Sequence, residues 1–160
     1  MKSNILTAIL AIGAAQPVFA DIYSDYADLG NKIVEETRAR ATHEVVAQDT
    51  FLLTDLGLQQ MDLFVVKHPE CIEQYSLIKT ENEAMKTMTY EQLDERYHDG
   101  VGLPVAPRIC YMGRSMIAHP YMALALHRDG LASEEEAAFY HEMEEVIERA
   151  DWMREHLQTR

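Results

Sequence analysis

Two groups of side chains in this sequence have the types and spacing to hold a metal ion. Glu91, Glu95 and His98 stand at steps of four and three, which places them on one face of a helix. Glu95-x-x-His98 is also the step by which di-iron carboxylate bundles present two ligands inward. Such bundles need two of these steps, and no other histidine here has a glutamate three residues before it, so a di-iron centre is set aside. The group remains a candidate for one divalent ion; the plainer reading is a helix terminus with His98 exposed near the negative end of the helix dipole. The second group is Met112, Met116 and His119, also at helical spacing. Thioether and imidazole ligands together select Cu(I). Methionine is equally an adaptable core filler, and Met143 and Met153 fall on an apolar seam of this chain. His141, Glu145 and Glu148 share a third helix face, which lies off that seam and reads as a solvated charged surface.

The densest mixture of aromatic, cationic and imidazole side chains runs from Tyr97 to His119. It brackets Val101–Pro107, whose two prolines forbid a helix interior. A pocket is expected here, lined by Tyr97, His98, Arg108, Tyr111, Arg114 and His119 and braced by a disulfide. Nothing in the chain matches a Gly-rich phosphate loop, G-x-S-x-G or H-E-x-x-H. No catalytic residue is assigned, and the reading leans away from an enzyme.

The elements that must position these residues are helical. Phe139, Met143, Val146, Ala150, Met153 and Leu157 recur at steps of four and three and form one apolar seam on a helix of about 25 residues. Ser133 and Glu136 are spaced as a capping box, with Leu131 placed as a hydrophobic staple. Upstream, Val45, Leu52, Leu56, Gln59, Leu63 and Val66 keep a heptad rhythm. They suggest one long helix or two collinear ones from Ala27 to Lys67, with a break near Asp49-Thr50 or Thr54. Pro69 ends that run and opens the next helix, to about Lys86, carrying Ile72, Tyr75 and Ile78. Thr89 and Gln92 form a second capping box, opening a short helix that ends near His98. Further helices are expected over Arg108 to Ala118 and from Pro120 to Arg128.

The first twenty residues read as a cleavable leader. A single Lys2 precedes the apolar run Ile5–Ala15, and Val18 and Ala20 fit the small-residue rule for cleavage after Ala20. The apolar run is shorter than the roughly 20 residues a membrane span needs. Residues 21–160 are then one helical domain, without a membrane span once the leader is removed. Because Lys2 is the one charge lost, the formal net charge moves from −13 to −14. A chain this acidic repels nucleic acid and anionic lipid, since it adds charge to a polyanion instead of releasing counterions. Cys71 and Cys110 are the two cysteines, and in an oxidising compartment they are expected to form a structural disulfide.

The sequence therefore predicts an all-α protein, a disulfide-linked bundle of about four to six mostly antiparallel helices, periplasmic or secreted. The expected function is a non-enzymatic binding or accessory protein that holds a protein or small ligand, through an acidic helix face or the braced 97–119 region. The alternative is a metal-binding protein, for a divalent ion or copper, using the His/Glu or Met/His group. The 139–157 seam is compatible with packing inside one chain or across a homodimer, because heptads look the same either way.

Overall fold

The computed structural model describes residues 18–158, so the expected leader lies outside the described residues up to its last three positions. All regular structure in this range is helical: α1 Val18–Arg38, α2 His43–Lys67, α3 Ile72–Met85, α4 Tyr90–Leu93, α5 Ile109–Asp129 and α6 Ser133–Gln158. A short 3-10 turn, Pro69–Cys71, leads into α3, and α4 runs into a widened π-turn, Asp94–His98. Among the described residues there is no β-strand, and no helix is long and apolar enough to cross a membrane.

Four of these helices close a ring around the core, each packed on the next: α1 on α2, α2 on α5, α5 on α6 and α6 on α1. The pairings run antiparallel. Lys32 of α1 reaches Asp49 of α2 while Gln60 of α2 reaches the Ile22 carbonyl. Gly57 of α2 sits against Ile117 of α5, and Arg40, just beyond α1, pairs with Glu136 of α6. The α6 seam is used within the chain: Phe139, Met143, Val146, Ala150 and Met153 are all buried in the common core. The α3–α4 segment crosses between α2 and α5, and the Cys71–Cys110 disulfide ties the start of α3 to the start of α5. Closing that loop, with a sequence separation of 39, stabilises the fold by about 4 kcal/mol on chain-entropy grounds.

The N-terminal half corrects the expected collinear helix. The chain folds back at residues 39–42 by a Schellman turn, in which the Ala41 amide donates to the Glu36 carbonyl (2.9 Å) and the Arg40 amide to that of Thr37 (3.0 Å). Arg40 takes the left-handed φ of 60° that this turn needs and that glycine ordinarily supplies, so no glycine marks the corner. No break occurs at Asp49-Thr50 or Thr54; α2 is continuous. Its buried stripe is also one residue out of register with the expected one. Val46, Thr50, Leu53, Gly57, Met61 and Phe64 face the core, while Val45, Leu52 and Val66 are 43%, 50% and 81% exposed. Leu52, Leu56 and Gln59 instead line a surface groove with Leu29, Asp25, Asp28 and Asp55.

Two smaller expectations are also revised. Ile72 is exposed, leaving Tyr75 and Ile78 to anchor α3. At the start of α6 the Ala132 amide donates to the Glu135 carboxylate at 2.8 Å, while the Ser133 side chain of the expected capping box lies outside the described residues. The expected two helices around Pro120 are one helix, α5, with the proline inside it. Proline removes the hydrogen bond to the carbonyl four residues back, here that of Met116. The buried Tyr26 hydroxyl of α1 replaces it, donating to the Met116 carbonyl at 2.6 Å.

Candidate functional site

The Thr89–Gln92 capping box forms as expected: the Gln92 amide donates to the Thr89 hydroxyl (3.3 Å) and the Thr89 amide to the Gln92 side-chain oxygen (3.0 Å). Beyond it the chain unwinds to a π-turn, closed by the Asp99 amide donating to the Asp94 carbonyl (2.7 Å). Arg96 clamps this turn to α3 through two bonds to Glu81, and the Tyr97 hydroxyl adds a third at 2.7 Å. The Arg96 guanidinium holds the Glu81 carboxyl below its ordinary range, against the opposing effect of burial. Asp94 and Asp99 face Nδ1 of His98 at 3.0 and 3.5 Å, whereas Glu91 and Glu95 are exposed. His98 itself is half-buried, not the exposed terminal residue expected.

After the turn, Gly100 and Gly102 take φ values of +83° and +80° and reverse the chain. Gly100 has a second requirement, because a Cβ there would overlap the Arg114 guanidinium. The reversal carries Ala106, Pro107 and Arg108 over the first turn of α5, where they meet Tyr111, Arg114 and Gln74 of α3 around a cavity of about 410 Å³. The disulfide fixes this geometry: Cys71 lies one turn before Gln74, and Cys110 adjoins Tyr111 and lies one turn before Arg114. Gln74 is held from the other side by its amide nitrogen, which donates to the Pro104 carbonyl at 3.1 Å. Of the six expected pocket residues, Arg108, Tyr111 and Arg114 line this cavity and Tyr97, His98 and His119 do not. Gln74, Ala106 and Pro107 were not anticipated; the nearest signal for Gln74 was the cysteine three residues before it.

His119 belongs to a separate buried network between α5 and α6. Its Nδ1 lies 2.6 Å from the Glu142 carboxylate, and the Tyr90 hydroxyl donates to the other oxygen of Glu142 at 2.9 Å. Burial, then the Glu142 charge, pushes the Tyr90 pKa well above its usual value, keeping the phenol protonated as a donor. Nε2 of His119 lies 4.0 Å from Glu145, which pairs with Arg149, and the His98 ring stands edge-on to His119 with centroids 5.2 Å apart. Glu145 is therefore drawn into the interior, not part of a solvated face with His141 and Glu148. The imidazole nitrogens of His119 face carboxylates, while Met116 is buried in the common core. Among the described residues, Asp94, His98 and Asp99 form the one His/carboxylate group whose ligand atoms all lie within 4.8 Å of one another.

Set against known protein families, curated proteins and solved structures, the chain matches none of them. What the site can do is read from its own geometry.

Proposed function

We propose that this chain is an exported, non-catalytic helical binding protein that holds a small ligand in the cavity between the starts of α3 and α5. The carrying observation is the cavity itself. It has the size of a small-molecule site, combines apolar walls with a few polar groups, and is braced by the Cys71–Cys110 disulfide. Export is supported by that disulfide, which belongs to oxidising compartments, and by the leader-like residues 1–20. The test is to denature purified protein and identify the small molecules released, comparing wild type with Ala106→Trp, which fills the cavity from a half-buried wall position. A species released by wild type and absent from the variant is expected. An identical release from both, or none from either after incubation with cell extract, would overturn the proposal.

A second reading, a divalent-metal site, is favoured by the convergence of Asp94 and Asp99 on His98. Carboxylate and imidazole donors suit zinc and related ions, and half-exposed ligands give a weak site. Zinc titration of wild type against His98→Ala decides it: equal affinity in both proteins retires the metal reading.

A further inference from the structure

The charge balance of the molecule makes its cations informative. With 27 acidic against 14 basic residues, a lysine or arginine meets a carboxylate almost wherever it falls. Lys32 pairs with Asp49, Lys79 with Asp62, Arg96 with Glu81 and Arg149 with Glu145. Arg108 and Arg114 do not follow this pattern. Among the described residues neither has a carboxylate within ion-pair distance, and both line the cavity between α3 and α5.

Arg114 is the more unusual of the two. It is only 9% exposed, so its charge has been taken out of water with no carboxylate in direct contact, which is costly unless something else compensates. Its partners are neutral: Nη2 donates to the His98 carbonyl at 2.8 Å, and the guanidinium lies over the Tyr111 ring, 5.0 Å from its centroid. Its Nε has no hydrogen-bond partner. Burial also pulls the pKa of this arginine downward, against the opposing effects of Tyr111, Tyr75 and the Asp99 carboxylate, which lies beyond ion-pair distance. A second residue at the cavity is similarly incomplete, since the side-chain oxygen of Gln74 accepts no hydrogen bond.

We infer that this cavity takes a small organic carboxylate, held by the guanidinium groups of Arg108 and Arg114. The inference rests on the small-ligand reading above and assigns the ligand its chemical class. Guanidinium forks match the two oxygens of a carboxylate, and the pair supplies the charge that a carboxylate needs inside an otherwise repelling, acidic molecule. Ala106 and Pro107 give an apolar wall for a short carbon skeleton, and the unpaired oxygen of Gln74 favours a hydroxyl or amine donor near the carboxylate. Hydroxy acids and amino acids have both features.

The experiment follows the Arg114 Nε–H resonance in ¹⁵N NMR spectra of the oxidised protein, titrated with L-malate, L-glutamate, propionate, neutral malamide and inorganic phosphate. A saturable shift with the carboxylates and none with malamide is expected, weakened by added salt. Arg108→Gln, an exposed substitution that spares the core, should weaken malate binding by about five- to tenfold, as loss of one solvent-facing charge-assisted contact does. Phosphate binding as tight as the carboxylates, an equal response to malamide, or no saturable shift with any carboxylate would each overturn the inference. If the carboxylates fail while Ala106→Trp still abolishes release of a bound small molecule, only the chemical class is wrong. If that release is also missing, the small-ligand reading falls with it.

Discussion

Tyr26→Phe removes one oxygen atom from a fully buried side chain, yet it should cost the fold about 2 kcal/mol, because it orphans the Met116 carbonyl. Pro120 is what leaves that carbonyl without a helical donor. Four residues after Met116, it has no N–H to offer, and Gly57 of α2 packs close enough that a Cβ there would lie 3.2 Å from the same carbonyl. The Tyr26 hydroxyl is therefore that carbonyl's hydrogen-bond donor, and without it a buried acceptor bears the cost of its lost hydration, about 1–3 kcal/mol. Pro120→Ala returns the helical N–H. In that background Tyr26→Phe should cost only about 0.5–1 kcal/mol, the net worth of one bond among two. The four proteins of this cycle, unfolded in urea and followed by circular dichroism at 222 nm, should show a coupling of about 1–2 kcal/mol. Equal costs of Tyr26→Phe in both backgrounds, within about 0.5 kcal/mol, would refute the account and leave the proline-containing helix without its explanation.

Two further substitutions probe the frame of the cavity. Gly113→Ala should destabilise by about 1–3 kcal/mol in the same urea assay, because the new Cβ overlaps the hydroxyl of Tyr75, a buried ring with little room to retreat. Glu81→Gln should cost about 1–2 kcal/mol at pH 7 by weakening the Arg96 clamp on the π-turn, and should also flatten the acid limb of the stability profile. The sign follows from the lowered carboxyl: its stabilisation is complete above the ordinary value of 4.5 and is lost as pH falls from there through the folded value. A wild-type acid limb as shallow as the variant's would contradict the clamp.

What the sequence disclosed about the fold was local. The α6 seam, the Thr89–Gln92 cap and the helix end before Pro69 each depend on neighbours within one or two turns, and each stands where its pattern places it. The misread stripe of α2 shows the limit. Two stripes one residue apart both repeat at heptad spacing, and the one richer in aliphatic residues is the surface one. The true core stripe contains Thr50 and Thr54 with Gln60 beside it, polar residues that are buried because each finds a partner. Thr50 donates to the Val46 carbonyl, Thr54 to that of Phe51, and Gln60 to that of Ile22 across the bundle. Hydrophobic counting sees neither a hydroxyl satisfied by its own helix's carbonyls nor a hydrogen bond made to another helix. Pro120 was read as a boundary for the same reason, since its substitute donor comes from a tyrosine on α1.

The site was half legible. Glu91, Glu95 and His98 share a face by spacing, but Asp94 also stands four residues before His98, and it is Asp94 and Asp99 that meet the imidazole, a pairing the sequence already offered. Arg108, Tyr111 and Arg114 were legible because they lie together in sequence and need only an ordinary helix to converge. Gln74 was not, since it reaches them only through the disulfide and the Gly100–Gly102 reversal. The Cys71–Cys110 bridge holds the starts of the two helices 5.3 Å apart at Cα, so the turns that follow the two cysteines set out from one place. A disulfide predicted between two helix starts thus carries positional information about the side chains one turn downstream, beyond its contribution to stability.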